Sequence, residues 1–112
     1  KLNLANKDVF LNIAGGMKIQ DPAADLAVVT AVVSSFSDQS VDSKTCCCAE
    51  ISLTGELRPV TRIEQRIAEA QKLGFNRIVV SSYHKIDLPK SSLQVVRAST
   101  LQEAMRNIFR SD

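Results

Sequence analysis

Hydrophobic and polar residues along the chain predict short strands that alternate with helices. Segments rich in β-branched, aromatic or cysteine residues predict strands at Asp8 to Ile13, Cys46 to Leu53, Arg77 to Val80 and Leu93 to Val96. The pair Gly15-Gly16 predicts a turn or bulge after the first strand. The residues from Met17 to Ile19 predict a second short strand, or the first strand continued past the bulge.

A long apolar run near the middle of the chain predicts a central helix. Asp21-Pro22 is a favourable start, because aspartate caps a helix and proline suits its first position. The run that follows, Ala23 to Phe36, is almost entirely Ala, Val and Leu. Four valines in this run are poor helix formers, so a strand is the alternative there.

The second half of the chain predicts a hairpin and two amphipathic helices. Thr54-Gly55-Glu56 indicates a turn that joins the third predicted strand to a short strand from Leu57 to Val60. The segment from Arg62 to Leu73 has apolar residues at helical spacing and ends before Gly74, a typical C-cap residue. Thr100, with a glutamate three residues later, forms a capping box that starts the last helix.

Composition and charge agree with one globular domain. The chain has 112 residues, of which 45% are hydrophobic and 23% are charged. No apolar run approaches the roughly 18 residues that a membrane helix needs. The formal net charge is +2, but residues 19–57 sum to −5 and residues 58–110 sum to +6. This asymmetry predicts complementary patches that join copies head to tail or, alternatively, scattered solvated side chains.

Residues with reactive side chains are sparse. Cys46 to Cys48 match no metal-binding spacing and, as strand residues, predict small buried side chains with Cys47 facing away from its two neighbours. His84, the only histidine, lies in a polar segment and is expected to be exposed. The pair Gly15-Gly16 lacks the other residues of a phosphate-binding loop. These patterns indicate no catalytic, metal or cofactor site.

One longer segment is more specific. Ala49 to Ala70, AEISLTGELRPVTRIEQRIAEA, resembles the C-terminal domain of the RadA/Sms family of bacterial-type DNA-repair ATPases. Its strongest block is LTGELRPV, which leads into an amphipathic helix. Further blocks match in the same order, namely DVFLNIAGG, PAADLAVVTAVVSS, KLGFNRIVV and STLQEA. The resemblance therefore covers almost the whole chain.

The resemblance implies an α+β fold like the proteolytic domain of Lon protease, of the ribosomal S5 domain 2-like type. Residues 1–112 are then expected to form one Lon-like domain, N-terminally truncated, without the hairpin and helix that begin the family's domain. The family's zinc finger and ATPase core are not recognisable in the sequence. Bound Zn, ATP and Mg are accordingly expected only in other parts of a parent protein, which would be a DNA-dependent ATPase.

The resemblance also implies that peptidase activity is absent. Lon-type proteases use a Ser–Lys dyad, whose serine position corresponds here to Ala23 and whose lysine position corresponds to Glu64. Alanine has no nucleophile, and a carboxylate cannot act as a neutral amine base. The alternative, an active Lon-type (S16) serine peptidase, would need another dyad, with Ser34, Ser35 or Ser52 beside Lys18 or Lys72.

In RadA-type proteins the Lon-like domain is taken to build a ring, expected to hold six copies of the full-length protein, and to contribute to DNA binding. The candidate DNA-binding residues here are Lys18, Arg58, Arg62 and Arg66. Arg62 and Arg66 are one helical turn apart, and arginine suits phosphate contacts that do not read the bases. As alternatives, these two arginines pair with Glu69 or with a neighbouring subunit's carboxylate, and the domain serves ring assembly only. The expected location is the bacterial cytoplasm, or a mitochondrion or chloroplast for a plant protein, with no membrane partner.

Overall fold

The computed structural model of the chain describes residues 4–85 and 93–109. Its elements in chain order are α1 (Leu4–Ile13), a 3-10 turn (Pro22–Ala24), α2 (Asp25–Ser37), β1 (Thr45–Cys48), β2 (Glu50–Ile51), β3 (Leu57–Arg58), α3 (Ile63–Lys72), β4 (Arg77–Ser81), β5 (Gln94–Ala98) and α4 (Leu101–Ile108). Strands β1, β4 and β5 form a parallel sheet in the order β1-β4-β5, and β2 and β3 form a separate antiparallel hairpin. The arrangement is α+β. None of the described helices is long and apolar enough to cross a membrane.

The parallel sheet is buried on both faces because side chains alternate along its strands. Cys47 pairs with Val79 and faces the core formed by α1, α2 and α4. Cys46 pairs with Ile78 and faces the opposite core, which α3 covers. The central strand β4 is consequently apolar along most of its length, as expected of a parallel strand that is covered on both sides. The predicted alternation of the three cysteines is confirmed.

Local signals placed several helix ends correctly. The Asp21 carboxylate accepts a hydrogen bond from the N–H of Ala23 at 3.0 Å and caps the 3-10 turn that leads into α2. The helical prediction for Ala23 to Phe36 is confirmed in the main, since α2 begins at Asp25. The Thr100 hydroxyl accepts a hydrogen bond from the N–H of Glu103 at 3.1 Å and caps α4. Gly74, with a φ of 94°, follows α3 as predicted.

The prediction of a strand from Asp8 to Ile13 is wrong, because these residues belong to α1. Phe10, Ile13 and Ala14 are buried, whereas Leu11 is more than half exposed. This spacing of three and four residues suits a helix that packs against α2, although the β-branched and aromatic residues suggested a strand. The second short strand predicted from Met17 to Ile19 is also wrong, since residues 17–20 form a loop.

The predicted strand from Cys46 to Leu53 is interrupted at Ala49. The Ala49 N–H donates to the Ala23 carbonyl at 3.0 Å, and the Ala49 carbonyl accepts from the Leu26 N–H at 3.1 Å. Because both backbone groups bond to the start of α2, the chain leaves the parallel sheet and then enters the hairpin. The next predicted strand, Leu57 to Val60, ends at Arg58, directly before Pro59.

His84 is buried, which corrects the expectation of an exposed side chain. Its Nε2 accepts a hydrogen bond from the Val60 N–H at 3.3 Å, and its carbonyl accepts one from Nη1 of Arg97 at 2.8 Å. Burial and, to a lesser degree, the nearby Arg97 charge lower the pKa of the His84 imidazole. Of the polar loop predicted from Ser81 to Pro89, residues 86–89 lie outside the described residues.

Leu57 and Leu53 belong to the same hairpin segment and form a matched pair for testing the core. Leu57 is fully buried, whereas Leu53 is fully exposed. Leu57→Ala is expected to lower the free energy of unfolding by about 2–5 kcal/mol, because it removes buried surface and leaves a cavity. Leu53→Ala is expected to change it by less than about 0.5 kcal/mol. Urea unfolding followed by circular dichroism measures both, and equal effects would contradict a role for the hairpin in the core.

The buried His84 predicts a loss of stability on acidification. Its folded-state pKa is lowered, so below pH about 6.5 the unfolded chain binds a proton that the folded chain does not. Stability should therefore fall as the pH drops below about 6.5, at no more than about 1.4 kcal/mol per pH unit from this residue. His84→Gln keeps an acceptor for Val60 without titrating. The difference between the two unfolding curves at pH about 7.5 and pH about 5.5 measures the effect, and an identical pH dependence would contradict it.

Candidate functional site

An open cleft of about 660 Å³ lies between the loop after α1 and the helix α3. Its floor is the outer face of β1 and β4, where Cys46, Cys48 and Ile78 are buried. Polar side chains stand around this apolar floor on both walls. The lining residues are Ala14, Gly15, Gly16, Met17, Lys18, Gln20, Asp21, Cys46, Cys47, Cys48, Arg62, Gln65, Arg66, Glu69, Ala70 and Ile78.

The loop wall of the cleft depends on the Gly15-Gly16 pair. Both glycines have positive φ angles, 58° and 93°, which other residues rarely adopt. A Cβ on Gly15 would lie 3.6 Å from Phe75 Cε2 and 3.7 Å from Cys46 Cβ, so the loop passes close to the sheet. The predicted glycine turn is confirmed, and the chain after it leads to Asp21, which contacts Arg66 on α3.

An ion pair joins the two walls of the cleft. Nη1 of Arg66 on α3 donates to Oδ2 of Asp21 at 2.9 Å, while Nε of the same arginine donates to the Thr61 carbonyl at 2.8 Å. Burial by itself would raise the pKa of the Asp21 carboxyl. The hydrogen bond from Ala23, together with the hydrogen bond and charge of Arg66, outweighs burial and lowers that pKa. Asp21 is therefore ionised at neutral pH and holds α3 against the start of α2.

The thiols on the floor of the cleft are neutral at physiological pH. Burial, with a smaller contribution from Cys48, raises the pKa of the Cys46 thiol to about 12. Burial also raises the pKa of the Cys48 thiol to about 11, although the nearby Arg66 acts in the opposite direction. A reactive cysteine needs a lowered pKa. These thiols therefore serve as small apolar side chains, as the sequence predicted.

The structure brings three of the four candidate DNA-binding residues together. Lys18, Arg62 and Arg66 line the cleft, whereas Arg58 lies on the hairpin strand β3 and does not. Arg66 is occupied by Asp21, a partner that was not among those considered from the sequence. Lys18 and Arg62 are exposed, and neither forms an ion pair with another of the described residues.

The two positions that the resemblance aligned with a Ser–Lys dyad lie outside the lining of the cleft. Ala23 is buried in the 3-10 turn before α2, and Glu64 is exposed in the first turn of α3. The alternative serines also do not line the cleft. Among residues 4–85 and 93–109, no group of three or more His, Cys, Asp or Glu side chains is placed to hold a metal ion.

Several cleft residues were not anticipated from the sequence. Gln20 and Gln65 contribute amide groups from opposite walls, and Met17 and Ala70 add apolar surface. Asp21 was recognised only as a helix cap. Its Asp-Pro motif predicts a cap, but no local signal links it to an arginine 45 residues later in the chain.

Similarity to known protein families shows what this chain is related to. A family model described as "Subunit ChlI of Mg-chelatase" matches residues 1–84 of the chain. The chain belongs to this family. The curated proteins that resemble this chain are named RadA, a name that differs from that of the ChlI family model. DNA repair protein RadA of Streptococcus pneumoniae is 47% identical over 110 residues, which are 96% of this chain and 26% of that protein.

Two further relatives have the same name. DNA repair protein RadA of Listeria monocytogenes is 46% identical over 107 residues, which are 94% of this chain and 23% of that protein. DNA repair protein RadA of Bacillus subtilis is 42% identical over 106 residues, again 94% of this chain and 23% of that protein. The chain thus spans about a quarter of the length of the curated relatives it matches. The predicted likeness to RadA is confirmed at this level.

A double-mutant cycle tests the ion pair between Asp21 and Arg66 across the cleft. Asp21→Asn keeps an acceptor for the helix cap, and Arg66→Gln removes the opposite charge. We expect a coupling of about 1 kcal/mol between the two changes at neutral pH, because the pair is only partly exposed. The Asp21 pKa is lowered in the fold, so the coupling is present above pH about 3.9 and lost as the pH falls further. Urea unfolding at neutral pH and at a pH below that value measures it, and additive effects at neutral pH would contradict the pairing.

Proposed function

We propose that the chain is a non-catalytic Lon-like domain of a RadA-type DNA repair and recombination ATPase. The observation that carries this proposal is identity of 42–47% to proteins named DNA repair protein RadA, over 94–96% of the chain. The match to the ChlI family model ends at residue 84, whereas the RadA similarity extends over almost the whole chain. The RadA name is therefore the better guide to function. The three-stranded parallel sheet with helices on both faces is compatible with the α+β class that this proposal requires.

The proposed domain does not cleave peptides. Its dyad positions hold Ala23 and Glu64, which supply neither a nucleophile nor an amine base. Among the residues that line the cleft there is no serine or threonine, and raised pKa values keep the thiols neutral. An active Lon-type peptidase is the alternative. Hydrolysis of an unfolded protein substrate that disappears on changing Ser34, Ser35 or Ser52 would support that alternative instead.

The role we propose for the domain is sequence-independent DNA binding within a homo-oligomeric ring. Lys18 and Arg62 are exposed cations on the two walls of one cleft, and Arg58 is a further exposed cation on the hairpin. Phosphate contacts by such side chains carry no base specificity and weaken as salt rises. Arg66 contributes indirectly, since its pairing with Asp21 positions α3 and hence Arg62. A module that serves ring assembly alone is the second candidate, favoured by the uneven charge along the chain.

The parent protein would supply the remaining chemistry. We propose that ATP, Mg and Zn bind outside this chain, in an ATPase core and a zinc finger, and that the protein acts in the bacterial cytoplasm. The organisms of the three relatives are all bacteria, which favours this location over a plant organelle.

Charge reversal on the cleft tests DNA binding. Arg62→Glu is expected to weaken binding of a short labelled DNA on the order of tenfold at low salt, and to reduce the salt slope by about the contribution of one phosphate contact. Lys72→Glu is the matched control, because Lys72 is exposed near the end of α3 and does not line the cleft. Fluorescence anisotropy across a salt series measures both variants.

Light scattering with and without DNA separates the proposal from its second candidate. A multimer whose DNA binding is weakened by Arg62→Glu but not by Lys72→Glu supports the proposal. A multimer that binds no DNA supports ring assembly alone. Equal weakening by the two variants would contradict a DNA site at the cleft.

A further inference from the structure

The cleft has an apolar floor, which contact with the phosphate backbone of a DNA duplex does not require. Its rim carries three cations, two carboxylates and two glutamine amides, whereas its floor consists of isoleucine and neutral cysteine side chains. Concave sites with an apolar floor and a few polar groups bind small ligands, and about 660 Å³ lies within the range of such sites. A ligand with an apolar part and anionic groups beside it would complement this lining.

The two available cations flank the ion pair that closes the cleft. The Asp21 N–H donates to the Lys18 carbonyl at 3.0 Å, so Lys18 is one backbone turn from Asp21. The Arg66 N–H donates to the Arg62 carbonyl at 3.0 Å, so Arg62 is one helical turn from Arg66. Since Asp21 and Arg66 are in contact, Lys18 and Arg62 lie near the same bridge but on different walls. Anionic groups on either side of an inserted ligand would each meet one cation.

We propose that the cleft receives one nucleotide unit, with its base on the apolar floor and the phosphates on either side of it contacting Lys18 and Arg62. This inference rests on the proposed DNA-binding function and names the form of DNA that the cleft takes. A single strand has a phosphate on each side of every base, and its bases are free to leave the stack. In a duplex the bases are paired inside the helix, so they cannot reach the floor.

The rest of the lining agrees with a base in this position. Gln20 and Gln65 carry amides that donate and accept hydrogen bonds, as the edges of every base also do. Among the described residues, two carboxylates line the cleft, Asp21 and Glu69. Asp21 is paired with Arg66, so only Glu69 has an uncompensated negative charge that would repel a phosphate. It lies one turn beyond Arg66 on α3, on the side away from Arg62, so it does not oppose the phosphate there.

A single tryptophan provides the test, because the chain contains none. Phe75→Trp exchanges one aromatic side chain for another directly behind Gly15, so this cleft reporter senses the cleft without being one of its lining residues. Gln71→Trp supplies the control reporter, since Gln71 is an exposed residue of α3 that does not line the cleft. Each variant is titrated with oligo-dT of about 12 nucleotides, which exceeds the one unit that the cleft takes. The other probes are a duplex of the same length, an oligonucleotide of equal length in which the bases are absent, and thymidine monophosphate.

The proposal expects oligo-dT to change the fluorescence of the cleft reporter and not of the control reporter. It also expects oligo-dT to bind at least about fivefold more tightly than the strand without bases, because contact of a base with the apolar floor adds to the two phosphate contacts. A response of the cleft reporter to thymidine monophosphate, without binding of the oligonucleotide, identifies a free nucleotide as the occupant and overturns both this inference and the proposed DNA function. Equal binding of strands with and without bases, with no response of the cleft reporter, overturns the cleft inference while DNA binding stands. No response of the cleft reporter to any of the four probes overturns the inference as well.

Discussion

Two backbone hydrogen bonds at Ala49 determine how the rest of the structure is arranged. They connect the end of β1 to Ala23 and Leu26 at the start of α2, at 3.0 and 3.1 Å. The same contact ends the parallel strand, turns the chain toward the hairpin and anchors the N-terminus of α2. Asp21 caps the 3-10 turn directly before α2, so its carboxylate is held where Arg66 of α3 can reach it. The position of the cleft follows from these bonds, because its two walls meet at the Asp21–Arg66 pair.

The pairing of Arg66 divides the basic residues of the cleft into two roles. Arg66 donates to Thr61 and Asp21 and stabilises the position of α3. Lys18 and Arg62 extend from the same region as exposed cations. By charge alone, Lys18, Arg62 and Arg66 are equivalent. The hydrogen bonds show that Arg66 has a structural role, whereas Lys18 and Arg62 remain available to an anionic ligand.

The two positions that the resemblance aligned with a Ser–Lys dyad hold residues that suit their local structure. Ala23 is buried among the side chains under α3 as a small core residue. Glu64 is exposed in the first turn of α3, where a carboxylate is favourable at a helix N-terminus.

Sequence by itself determined the features that depend on neighbours along the chain. The caps at Asp21 and Thr100, the glycine turns, the amphipathic helix α3 and the alternation of the cysteines are all governed by local hydrogen bonds and side-chain periodicity. Only the tertiary structure decided the helical state of residues 8–13, the break at Ala49, the burial of His84 and the partner of Arg66. Each of these depends on a contact between residues far apart in the chain. Local propensity contains no information about such contacts, and packing against α2 or a distant hydrogen bond outweighs it.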